Sequence, residues 1–253
     1  ILVTEMEHHS NLVPWQLATK ASGAELVYWP ITPESGSSGG GRLDLQMLDE
    51  LLTDSVKRQR SIRLLAVTAV SNVLGTVNPI AKIVEMAHDR GVPVLVDAAQ
   101  AAARMPIDVS GWDCDFLAFS GHKVYGPTGI GVLWAREEIL DGMPPWQGGG
   151  AMIDRVTFEK TTYAPPPQRF EAGTPMITEA IALHAAIEYI DDMGVDQAYD
   201  HERRLARTLR EALSAHNSIR LFGPEESAGI VSFAMEGVHP HDLGTILDEE
   251  HVA

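Results

Sequence analysis

The sequence predicts an α/β fold: a mainly parallel sheet with helices on both faces, followed by part of a smaller α+β unit. Three observations predict it. Short apolar runs alternate with amphipathic stretches of helical period, the order that builds parallel sheets from strand–helix–strand units. The runs are continuous rather than alternating in polarity, as expected of strands covered on both faces. Polar residues cluster directly after several runs, where open α/β sheets bind their ligands.

Taken in order, residues 1–4 read as a buried strand, 12–21 as a helix and 25–29 as a short strand. Residues 33–41, rich in Gly and Ser, read as a surface loop. Leu43, Leu45, Leu48, Leu51 and Leu52 follow helical spacing, with Asp44 as the N-cap. The run 63–68 is a strand, Pro79 opens the next helix and Gly91 closes it. Strands follow at 92–96, 115–119 and 130–134. Residues 152–168, rich in Pro, Thr and aromatics, read as an extended excursion. Helices over 178–193 and 196–216 come next, then strand-like stretches at 219–224 and 229–235. This divides the chain into a large unit at 1–177 and an incomplete smaller one at 178–253.

Composition narrows the functions. Lys and Arg total 19 against 35 Asp and Glu, a net charge of −16, which disfavours nucleic acid and anionic lipid as partners. No apolar run approaches the ~20 residues of a membrane span. A single cysteine, Cys114, rules out an internal disulfide and suits a reducing, cytoplasmic setting. The chain opens inside a strand-like run and closes just after a helical pattern, whereas ends usually fall in exposed polar segments. An internal piece of a longer protein is therefore expected.

Three strand ends carry the chemistry: Ser71-Asn72, Asp97-Ala98-Ala99-Gln100 and Ser120-Gly121-His122-Lys123. An Asp and a Lys on neighbouring strand ends fit a buried ion pair, a metal-and-anion site or a cofactor site; each alone also fits a cap or a surface ion pair. Together they match what pyridoxal phosphate needs: an amine for a Schiff base, a carboxylate to keep the ring nitrogen protonated, and donors for the phosphate. Lys123, Asp97 and the pair Ser120/His122 supply these. The N-terminal Glu7-His8-His9-Ser10-Asn11 is a further candidate. Adjacent histidines are expected to point apart and to make a poor metal pair, so an imidazole stacked on a planar cofactor is the better functional reading. Cys114, flanked by Asp113 and Asp115, reads as a small buried hydrophobe.

These motifs carry a resemblance. Met6-Glu7-His8-His9-Ser10-Asn11, Val70-Ser71-Asn72-Val73-Leu74-Gly75, Val96-Asp97-Ala98-Ala99-Gln100, Ser120-Gly121-His122-Lys123 with Gly126-Pro127-Thr128-Gly129, Gly148-Gly149-Gly150 and Arg169-Phe170-Glu171-Ala172-Gly173-Thr174-Pro175 stand in one order. The sequence thereby resembles the class V aminotransferase family of fold-type I pyridoxal-phosphate enzymes, and within it the cysteine desulfurases of the SufS type.

The resemblance implies that Lys123 is the Schiff-base lysine, His8 the ring-stacking histidine and Asp97 the pyridinium partner. It gives Gln100 to the phenolic oxygen, Ser120 and His122 to the phosphate, and Asn72 to substrate or cofactor. Thr174 would reach the phosphate of the other subunit of a homodimer. The implied reaction converts L-cysteine to L-alanine, passing sulfur as a persulfide to an acceptor protein of the SufE/SufU kind for iron–sulfur cluster assembly. In that family the persulfide cysteine and a carboxylate-binding arginine lie C-terminal to residue 253, and Cys114 does not take that cysteine's place. Selenocysteine lyase or another β-elimination is the alternative chemistry, and an inactive binding fragment the non-enzymatic alternative.

Overall fold

A computed structural model describes residues 1–33, 40–57 and 61–252. The chain begins with β1 (Leu2–Thr4), α1 (Val13–Ser22), β2 (Val27–Trp29), α2 (Leu45–Lys57) and β3 (Leu65–Thr68). It continues through α3 (Ile80–His88), β4 (Val94–Asp97), α4 (Val109–Trp112), β5 (Phe116–Ser120) and β6 (Gly131–Ala135). Next come α5 (Glu137–Gly142), β7 (Ile153–Val156), β8 (Thr161–Tyr163), α6 (Ile177–Met193) and α7 (Val195–Ser214). β9 (Ile219–Phe222), β10 (Ser232–Met235) and α8 (Pro240–Glu249) complete it.

The main sheet has six strands in the order β2-β1-β3-β4-β5-β6. All neighbours are parallel except β6, which runs antiparallel to β5. The continuous apolar runs are covered on both faces as their pattern predicts: Leu65, Ala66, Val67 and Thr68 are all buried, as are Val94 and Val96. On the helical side, α3 buries Ile80, Ile83, Val84 and Ala87, spaced to form one stripe. α2 contributes Leu48 and Leu52 to the same core, and the Trp29 indole N–H donates to the Asp44 carbonyl at 3.1 Å. Each such Leu, Ile or Val contributes about 1.5–3 kcal/mol through burial. Asp44 caps α2 as expected, its carboxylate accepting from the Gln46 N–H at 2.8 Å.

The expectation of an extended excursion at 152–168 needs refinement, because β7 and β8 pair there as an antiparallel hairpin. α3 ends at His88 rather than at Gly91, since Asp89 and Arg90 form a separate turn that Gly91 closes at φ 66°. The short α4 and α5 have no counterpart in the sequence reading, being too brief to show a period. The Gly/Ser stretch read as a surface loop falls at 34–39 outside the described residues. Among the described residues no helix is long and apolar enough to cross a membrane.

Candidate active site

Parallel pairing brings the polar strand ends to one edge of the sheet. Thr68 is in register with Asp97, and Asp97 with Ala118, so the residues that follow β3, β4 and β5 leave the sheet side by side. β1 joins them: three residues past its end, Glu7 accepts the Thr68 N–H at 2.8 Å.

Asp97 ends β4 and is buried. One carboxylate oxygen accepts from the Ala99 N–H at 2.8 Å, and the other makes no hydrogen bond among the described residues. The plain reading of Asp97 as a cap therefore accounts for half of its carboxylate. Lys123 lies half-buried in a 3-10 turn, Gly121–Lys123, directly after β5. Its ammonium makes no ion pair or hydrogen bond among the described residues, so the surface ion pair is absent there. Ser120 precedes that turn, and its hydroxyl does not cap it. His122 is exposed.

The turn is held by backbone bonds from Val124 and Gly126 to the Gly121 carbonyl and from Gly121 to the Ile130 carbonyl. Val124 is buried with Leu183 and Ile190 of α6, so a helix backs the lysine turn.

Gln100 follows one turn after Asp97, and its Oε1 accepts from Arg104 at 2.7 Å. A guanidinium only donates, so the amide oxygen faces Arg104 and the NH2 group points elsewhere. Arg104 is in turn paired with Glu202 of α7 at 3.0 Å. Asn72 is half-buried in the turn after β3. That turn is closed by the Ser71 hydroxyl, which accepts from the Leu74 N–H at 3.0 Å, and by Gly75 at φ 66°. It docks against the C-terminal part of the chain: the Gly75 carbonyl accepts from Ala228 at 2.8 Å.

His8 precedes a 3-10 turn, His9–Asn11, and its Nδ1 accepts from the Ser10 N–H at 3.2 Å. The rings of His8 and His9 do not diverge as expected: their centroids are 5.7 Å apart at a tilt of 32°. His8 is extended while His9 opens the turn, and this change of direction folds the rings together.

Thr174 is set apart from these strand ends. It is exposed in the loop before α6, and the neighbouring Gly173 N–H bonds to the Gly150 carbonyl at 2.9 Å. Arg169 organises that region by donating to the carbonyls of Ala164, Leu140, Asp141 and Met143.

Cys114 lies at the opposite edge of the sheet. It precedes β5, whereas Lys123 follows it, and five strand residues span ~16 Å. Its thiol is buried and pushed up to about 11, chiefly by desolvation. Around it, Asp115 accepts from the Val94 N–H at 2.7 Å and pairs with His88 at 2.8 Å, while Arg136 bridges Asp113 and Asp115. The sequence reading did not find this network, nor any role for Glu7 or for the carbonyl cluster around Arg169. A single local signal pointed to Glu7, its place beside the paired histidines.

The open, mainly parallel sheet with its polar strand ends defines the class: this is the fold of the fold-type I pyridoxal-phosphate transferases. The chain belongs to the aminotransferase class-V family, whose profile matches residues 1–253. It is 48% identical over 254 residues to a cysteine desulfurase of Cronobacter sakazakii, covering all of this chain and 60% of that protein. It is 45% identical over 256 residues to a probable cysteine desulfurase of Streptomyces coelicolor, covering all of this chain and 58% of that one. Among solved structures, the cysteine desulfurase CsdA from Escherichia coli superimposes with a TM-score of 0.90 at 41% identity, covering 100% of this chain and 60% of that one. The chain thus spans about three-fifths of the length of the relatives it matches.

Proposed function

We propose that the protein is a pyridoxal-phosphate-dependent cysteine desulfurase that converts L-cysteine to L-alanine. The observation that carries the reading is the presence, on adjacent strand ends, of the Lys123 amine and the buried Asp97 carboxylate, the amine and one carboxylate oxygen having no hydrogen bond or ion pair among the described residues. A buried carboxylate oxygen without a donor is costly in a purely structural role. The donor set therefore fits the cofactor. When bound, pyridoxal phosphate supplies an electron sink for the charge that develops at the substrate α-carbon.

The chain's own residues would hold and tune that group. Lys123 would be the covalent attachment point, and its amine, when not engaged there, would move the substrate α-proton. Asp97 keeps a proton on the ring nitrogen by offering its free oxygen. His8 packs on the ring face. Gln100 donates to the phenolic oxygen through the NH2 group that Arg104 directs away from itself. Ser120 and His122 bind the phosphate, and Asn72 contacts substrate or cofactor. Thr174 serves the phosphate of a second subunit.

A homodimer is supported by the apolar surface of α6, where Ile177, Ile181 and Tyr189 are exposed. We assign residues 1–177 to the cofactor-binding unit and 178–253 to the smaller unit. The sulfur leaves through a persulfide on a cysteine other than Cys114, and a SufE/SufU-like acceptor takes it in the cytoplasm for iron–sulfur cluster assembly.

Borohydride reduction of the full-length protein with pyridoxal phosphate, followed by peptide mass spectrometry, tests the site. The label is expected on Lys123 alone, and Lys123→Ala should abolish both label and alanine formation. A folded protein labelled elsewhere, or alanine production that survives Lys123→Ala, would overturn the proposal.

A further inference from the structure

Glu7 sits where β1 gives way to the turn that carries His8, and both of its carboxylate oxygens are engaged. Oε1 accepts from the Thr4 hydroxyl at 2.6 Å and from the Thr68 N–H at 2.8 Å. Oε2 accepts from the Asn11 side-chain amide at 2.6 Å. Asn11 is buried, and its Oδ1 accepts from the Trp15 indole N–H at 3.1 Å.

Two of these partners, Asn11 and Thr68, leave no freedom of direction. An indole N–H can only donate, so the Asn11 carbonyl must face Trp15 and its NH2 must face Glu7. The Thr68 donor is backbone and cannot be reversed. Both oxygens of Glu7 therefore meet fixed donors, an arrangement that suits the ionised carboxylate.

Burial works against that charge and raises the Glu7 pKa to about 7, with the Thr4, Asn11 and Thr68 hydrogen bonds opposing the rise. Thr4 of β1, Thr68 of β3 and Asn11 of the 3-10 turn are neutral; the charged group acting on Glu7 is Asp97 of β4, which pushes the pKa further up. Those hydrogen bonds, worth about 1.5–3 kcal/mol each when made to charge, offset part of the solvation cost, so both protonation states are populated near neutral pH.

The Glu7–Asn11 bond closes a loop across four positions, and His8 lies inside it. The same loop is fastened to β3 through Thr68 and to α1 through Trp15. We propose that Glu7 is a positioning residue: its carboxylate, clamped by Asn11 and Thr68, fixes the direction in which the His8 ring leaves the sheet edge. The role assigned to that ring rests on the reading of His8 as the residue that packs on the cofactor.

The test uses the full-length protein with Glu7→Gln, the pair Glu7→Gln/Asn11→Asp, and His8→Ala. Glu7→Gln is nearly isosteric but sets a donor against a donor at Asn11 or at Thr68. Adding Asn11→Asp restores an acceptor opposite the new amide, keeps one negative charge, and still accepts from Trp15.

Two quantities are read: hydrogen exchange of peptides spanning His8 and Thr68 in the cofactor-free protein, and the Kd and induced circular dichroism of pyridoxal phosphate on titration. Glu7→Gln should speed exchange in both peptides, weaken cofactor binding at least about tenfold and change the induced dichroism. The paired substitution should return exchange, dichroism and Kd to within about threefold of the starting protein. Unchanged exchange in Glu7→Gln, or a paired variant that fails to fold or to restore these values, overturns the proposal. His8→Ala separates the two readings: unchanged cofactor binding there removes His8 from the cofactor site, while exchange in the cofactor-free protein still reports on the Glu7 clamp.

Discussion

Cys114 and Lys123 stand at opposite ends of β5, and the strand between them separates two kinds of chemistry. Lys123 emerges at the edge where Asp97 and Gln100 also emerge; Cys114 is enclosed beneath the His88, Asp115 and Arg136 network. A thiol raised to about 11 holds almost no thiolate at neutral pH, so it is a packing group. Cys114→Ala should leave alanine formation within about twofold of the starting protein, and the thiol should resist alkylating reagents until the protein unfolds, as mass spectrometry of the Cys114 peptide would report. The residues at the strand ends were legible in the sequence because each group lies within a few positions of its strand and needs only a parallel sheet to converge. Glu7 was not, because its environment depends on Thr68, 61 positions away, and on the direction of an indole N–H.

At the level of elements, the buried strands were readable because a run such as Leu65–Thr68 needs cover on both faces, whatever provides it. Boundaries followed register instead. β4 starts at Val94, where pairing with Leu65 begins, and extends to Asp97, which a purely apolar criterion leaves out. The hairpin of β7 and β8 was read only as extended because its Pro and Thr content signals an irregular path and says little about pairing.

The turn after β3 illustrates a long-range constraint on a short element. Gly75 adopts φ 66°, and a Cβ there would lie 2.9 Å from the Ser227 Cβ and 3.0 Å from the Ile230 Cβ. Gly91 has the same φ with open space around it. Gly75→Ala is therefore expected to cost about 1–3 kcal/mol more in urea denaturation than Gly91→Ala, which bears the backbone strain alone. Equal losses would mean that residues 227–230 yield freely.

For the whole molecule, pH acts on folding through groups whose affinity for protons changes on burial. Glu7 binds its proton more tightly in the folded state, at about 7 against a usual 4.5. Its contribution is fully present below about 4.5 and is lost as pH rises through about 7. Asp113 and Glu226 act in the opposite sense: Arg136 and Arg203 hold their carboxyls below the usual range, so their contribution is lost as pH falls through it. Unfolding free energies from urea denaturation between pH 5 and 8 should fall on the order of 1–3 kcal/mol through Glu7, and Glu7→Gln should flatten that slope. An unchanged slope would show that Glu7 keeps its ordinary affinity for protons.

Arg104 gives the strand ends a connection of a different kind. One end of its guanidinium donates to the Gln100 amide oxygen and the other is ion-paired with Glu202, a residue of α7 nearly one hundred positions further along. The guanidinium thereby stands between a strand-end side chain and α7, touching both. The direction of the Gln100 amide at the strand end is in this way tied to a residue far later in the sequence.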